Sequence, residues 1–123
     1  MTEKDILAMV PGRELDLLIA KQFSEYPLCE NKEHYNAAPP GEWCRKCQKY
    51  SPKKYSTDIA AVWEVYDWIG DNIGGIKVFK ACDIDWPECC EIFNGEERFL
   101  AGGKTAPEAI CKAALLAIMK LEG

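Results

Sequence analysis

The sequence has no apolar run approaching the ~20 residues that cross a bilayer, so a membrane-spanning helix is not expected. Its opening residues, Met1-Thr2-Glu3-Lys4-Asp5, lack the basic start and apolar centre of a secretory signal, and the expected location is the cytoplasm. Histidine is nearly absent, His34 being the single one. Acyl-transfer chemistry needs a base beside its nucleophile. With one histidine, no glycine-rich phosphate loop and no catalytic metal motif, the chain is not expected to be an enzyme. Positive charge is also short: 15 Lys and Arg stand against 20 Asp and Glu, a formal charge of −5 that disfavours general nucleic-acid binding.

A hydrophobic content of 48% with 28% charged residues is globular composition, and 123 residues are enough for one domain with its own core. The charge is unevenly placed. Residues 31–54 carry six basic side chains (Lys32, Arg45, Lys46, Lys49, Lys53, Lys54) against Glu33 and Glu42, a local +4 that leaves −9 elsewhere. An anionic partner would therefore meet this segment and not the rest of the domain. The seven cysteines, in a chain without an export signal, point to metal ligands and small buried hydrophobes in place of a disulfide framework.

Residues 3–9 are expected to form a helical turn, closed by Pro11-Gly12. The segment 12–23 then reads as a helix with Leu15, Leu18 and Ile19 inward and Glu14, Asp16 and Lys21 outward. Residues 28–54 have neither helical nor strand period, which is long for a loop in a compact domain. Residues 55–73 read as a central amphipathic helix capped by Ser56 or Thr57, with Ile59, Val62, Trp63, Tyr66 and Ile69 on the core face. Three strands are expected over 76–81, 89–93 and 97–101, the last two joined at Asn94-Gly95. Thr105-Ala-Pro-Glu108 is a capping box that opens a closing helix to about Leu121, its inner stripe being Ile110, Ala113, Ala114, Ala117 and Leu121. The class implied is α+β, with an antiparallel meander between the central and closing helices.

The sharpest chemical signal lies in the aperiodic segment: Cys29-x4-His34-x9-Cys44-x2-Cys47. Three thiolates and an imidazole make a closed tetrahedral set for a structural Zn2+, and metal binding would supply the ordering that the segment's own sequence lacks. Cys82, Cys89, Cys90 and Cys111 have no base beside them and read as buried small hydrophobes. Asp83, Asp85, Glu88, Glu91, Glu96 and Glu97 show no regular ligand spacing and read as solvated surface.

A ligand surface is drawn from two groups. Trp43 beside Arg45, and Trp86 on a turn, are placed to stack on a planar molecule or to anchor a protein interface. Arg13, Tyr55, Ser56 and Asp58 sit at helix starts, where backbone amides can receive phosphate; the same residues can equally cap and join the helices.

The segments GRELDLLIAKQF (12–23), YSTDIAAVWEVYDWI (55–69) and TAPEAICKAALLAI (105–118), in this order and spacing, resemble the phage ABA sandwich domain family. The resemblance implies a single α-β-α domain over 1–123, a phage origin and hence the cytoplasm of a bacterial host. It implies no reaction, and the Cys-rich segment 28–54 reads as an insertion. The function expected is a small, homo-oligomeric anti-defence protein that sequesters an anionic, nucleotide-type immune signal; the alternative is a zinc-stabilised module binding a host protein. A double-stranded-RNA-binding domain shares the element order, but the basic opening that its final helix needs is Thr105-Ala-Pro-Glu108 here.

Overall fold

A computed structural model of the chain describes residues 2–23, 27–30, 40–80 and 86–122. The elements in order are α1 (Glu3–Ala8), α2 (Arg13–Phe23), β1 (Trp43–Cys44), β2 (Lys49–Tyr50), α3 (Ile59–Asn72), β3 (Gly75–Lys80), β4 (Glu88–Asn94), β5 (Glu97–Gly103) and α4 (Ala106–Glu122). The fold is α+β, with a β1–β2 ribbon and a β3–β4–β5 meander, both antiparallel.

The organising element is α4 and not α3. Every described residue from Pro107 to Ile118 is buried, and α4 packs against α1, α2, α3, β4 and β5. A helix apolar on all sides belongs at the centre of a domain, and the run of Ala109, Ala113, Ala114 and Ala117 lets neighbours approach closely. Leu121, expected on the inner stripe, is 43% exposed because it lies past the end of that enclosure. The start of α4 differs slightly from a capping box. The Glu108 amide donates to Thr105 Oγ1 at 3.4 Å, but the Glu108 carboxylate reaches one residue further back, to the Lys104 amide at 3.1 Å.

This enclosure holds a charge. Lys112 is 1% exposed and gives Nζ to Glu108 at 2.7 Å and to the carbonyl of Leu7 at 3.1 Å. The Trp86 ring lies beside it, its centroid 5.6 Å from Nζ. The lysine thereby satisfies a carbonyl left open at the end of α1 and ties that helix to α4.

The meander register sets its two faces. Ile76, Ile92 and Phe99 lie side by side, as do Val78, Cys90 and Ala101, and this face meets α4 and α3. Lys77, Phe79, Cys89, Glu91, Phe93, Arg98 and Leu100 occupy the opposite face, with Leu100 54% exposed. Gly95, with φ +63°, makes the expected Asn-Gly turn. Gly74 is required by proximity: a Cβ there would sit 1.9 Å from the Phe93 carbonyl oxygen.

Two expectations about helix faces are corrected. On α3 the buried stripe is Val62, Val65 and Ile69; Ile59 and Trp63, expected in the core, are 48% and 47% exposed. Both stripes have helical spacing, and the slimmer one faces the close-packed α4. The cap is Asp58, whose side chain accepts from the Ala60 amide at 2.9 Å; Tyr55 to Thr57 form a turn ahead of the helix. On α2, Asp16 points inward and is 5% exposed.

Ile69→Ala should lower stability by about 2–5 kcal/mol, whereas Trp63→Ala should cost about 1 kcal/mol or less, as surface changes do. Chemical denaturation of the two variants checks the order. Glu108→Ala leaves a buried ammonium without its carboxylate and should cost about 3–5 kcal/mol in the same assay.

Candidate metal centre

The Sγ atoms of Cys29, Cys44 and Cys47 lie within 4.8 Å of one another. Sulfurs around a tetrahedral zinc at about 2.3 Å would stand roughly 3.8 Å apart, so small shifts close the set on an ion. Backbone pairing brings the three together. The Cys29 amide donates to the Tyr50 carbonyl at 2.7 Å and the Tyr50 amide to Pro27 at 2.9 Å, which lays 27–29 along β2. Between β1 and β2 the chain turns over 45–48, where the Gln48 amide returns to the Cys44 carbonyl at 2.8 Å and Gln48 takes φ +56°. Gly41 and Ser51 extend the ribbon on its open side through two further bonds of 2.9 and 2.8 Å.

The donor set suits a cation. Amides of Cys47 and then Lys46 point at the Cys44 sulfur and hold its thiol below the usual value. Cys47 is pushed up to about 11, first by burial and then by the neighbouring Cys29 and Cys44. One thiolate is thus welcome and further ones repel each other, a pattern that a bound divalent ion inverts. Cys29 and Cys44 are each 1% exposed, as in a closed structural site. His34, the expected fourth ligand, lies outside the described residues. Cys90, pushed up to about 12 by burial, and Cys111, also pushed up by burial, are buried in the main core as expected. Cys89 is partly buried, and Cys82, like Asp83 and Asp85, lies outside the described residues.

The expected ligand residues fall into two groups. Arg13 donates Nη2 to the Cys29 carbonyl at 3.1 Å, joining α2 to the sulfur cluster. Ser56 is fully buried; its amide and hydroxyl donate to Asp16 at 2.7 and 2.6 Å, and its oxygen receives the Gly12 amide at 2.9 Å. Burial pushes the Asp16 carboxyl up, and these two bonds from Ser56 oppose it. Tyr55 is 7% exposed, its phenol pushed up to about 12 by burial. Asp58 caps α3. Arg13 therefore joins α2 to the ribbon and Ser56 joins α2 to the turn before α3, whereas the side chain of Asp58 serves its own helix. The part played by Asp16 was missed because its partner is 40 positions away in sequence.

The second group is on the surface. Trp43 is 47% exposed and stands edge-on to Tyr50, centroids 5.0 Å apart. Arg45 and Lys46 are exposed beside it, with no carboxylate partner among the described residues. Trp86 is 42% exposed, with Lys112 of α4 beside its ring. An open cavity of about 350 Å³, lined in part by Glu3, Arg98, Leu116 and Lys120, includes none of the expected ligand residues.

A family model described as the phage ABA sandwich domain matches residues 18–115. A phage protein from Bacillus cereus ATCC 14579, known from a 2.0 Å crystal structure, is similar at 25% identity; the match covers 89% of this chain and 93% of that one, with a TM-score of 0.64. No curated protein matches the chain. No described helix is long and apolar enough to cross a membrane.

Elemental analysis of purified protein should find one zinc per chain. Cys44→Ser should release it and expose residues 28–54 to protease, while far-UV circular dichroism retains the signal of α3 and α4.

Proposed function

The chain belongs to the phage ABA sandwich domain family, and from that premise we propose that it is a small non-enzymatic phage protein that binds a host protein through its metal-clipped ribbon. The observation that supports this reading is Trp43. A large aromatic is 47% exposed on a ribbon of two short strands, beside Arg45 and Lys46. Tryptophan and arginine are the side chains most often found as anchors of protein interfaces. A ribbon this short has little stability of its own, and a zinc ion on Cys29, Cys44 and Cys47 would hold it in one shape before a partner arrives. The basic ribbon on an otherwise acidic chain selects an acidic host surface.

The same Trp43–Arg45 pair also favours a second reading, sequestration of a nucleotide-type signal, with the indole stacking on the base and the guanidinium on phosphate. Arg13, Tyr55, Ser56 and Asp58 would then contribute through the shape they give the ribbon's base and not by direct contact. That reading needs a second copy of the chain to close a pocket over Trp43, because one face of a ribbon leaves a small ligand largely in water.

Pull-down from host lysate with wild type and Trp43→Ala, run beside calorimetry against cyclic and ADP-ribose-type nucleotides, separates the two. The expected result is an acidic host protein whose affinity falls at least tenfold in Trp43→Ala, with no heat from the nucleotides. Nucleotide binding that Trp43→Ala abolishes would hand the function to the second reading.

A further inference from the structure

The outer side of α3 carries an apolar stripe that nothing described covers. Ile59, Trp63 and Tyr66 follow one another at steps of four and three, so they lie in one line along the helix. Ile59 and Trp63 are 48% and 47% exposed, and the Trp63 and Tyr66 rings meet edge to face with centroids 4.8 Å apart. Gly70 continues the line, and a Cβ there would meet nothing within 4 Å. The stripe thus ends in a position with no side chain, where another backbone can come close.

A second exposed apolar surface, the outer face of the meander, is different in kind. Lys77 lies over Phe79 at 5.3 Å and Arg98 over Phe93 at 5.2 Å, so cations already cover its aromatic rings. Among the described residues, no lysine or arginine lies over the Trp63 or Tyr66 ring on α3. The helix has no lysine or arginine at all, and it carries Glu64, Asp67 and Asp71. Lys53 neutralises Glu64 with both carboxylate oxygens 2.8 Å away. Asp67 and Asp71 are exposed, on the solvent side of the stripe, and have no ion-pair partner among the described residues.

We infer that this face of α3 is a docking surface for an amphipathic, basic α-helix of a partner protein. The apolar line supplies anchors at helical spacing, Gly70 lets the partner's backbone approach, and Asp67 and Asp71 select lysine or arginine at its flank. A second copy of α3 is the wrong occupant on charge, because antiparallel pairing would set carboxylates against carboxylates. This surface is built of α3 residues, distinct from the Trp43 ribbon, and needs no metal.

The test uses full-length, zinc-loaded protein and a labelled synthetic peptide of about 15 residues, long enough to be helical when bound, with leucines on one face and lysines on its flanks; a glutamate-flanked version is the control. Fluorescence anisotropy should show binding of the lysine peptide only. Trp63→Ala should weaken it at least tenfold, and Gly70→Arg should abolish it with the thermal midpoint intact. Asp67→Asn with Asp71→Asn should weaken it several-fold, as should salt near about 0.5 M. Trp43→Ala should leave it unchanged, so failure here is separate from failure of the ribbon reading. Equal binding of both peptides, indifference to Trp63→Ala and Gly70→Arg, or self-association of the chain lost in Trp63→Ala would each overturn the proposal.

Discussion

The enclosure of α4 governs the rest of the molecule. Residues 107–118 are buried on every side, so α1, α2, α3 and the meander must each turn an apolar face toward one axis. Burying a lysine in such a helix carries a large desolvation cost unless its charge and all its protons are met. Glu108, the Leu7 carbonyl and the Trp86 ring meet them, and in doing so they join α1, the segment just before β4 and the first turns of α4. Glu108 is held in turn, because a Cβ at Gly103 would come within 2.8 Å of its side chain.

The ribbon stands apart from this logic. Its strands β1 and β2 place no residue in the main core; its own buried cluster is Cys29 and Cys44, with Cys47 packed against them, while Leu28 alongside β2 packs on the main core. Polar bonds supply further connections to the body. Arg13 reaches the Cys29 carbonyl, the Asp16–Ser56 bond ties α2 to the turn before α3, and Lys53 reaches Glu64. An element with so little apolar burial needs another source of order, and three thiols gathered at one point supply the ligands for it. This division leaves the ribbon able to carry Trp43 outward without disturbing the core.

Much of this was legible in the residues. Alternation and Asn94-Gly95 mark the meander, Thr105-Ala-Pro-Glu108 marks the start of α4, and Cys44-x2-Cys47 marks the knuckle. What escaped depends on tertiary partners. Ile59, Trp63 and Tyr66 are spaced for a helix as well as Val62, Val65 and Ile69 are, and only the approach of α4 chooses between them. Asp16 looks like a surface acid until Ser56 arrives from 40 residues away. The strands β1 and β2 are two residues each, too short to show a period. Lys112 is a lone charge four residues from Glu108 in an apolar segment, a pattern that was visible and signals an internal pair.

The body is organised by α4, and we propose that the ribbon is organised by a metal ion on Cys29, Cys44 and Cys47. Amide hydrogen exchange of the zinc-loaded protein, before and after chelation, tests it directly. Chelation should remove protection from the amides of Cys29, Gly41, Gln48, Tyr50 and Ser51, whose bonds hold the ribbon together, while the amides of α4 keep theirs. Loss of protection in α4 together with the ribbon, or a ribbon still protected without metal, would contradict the account.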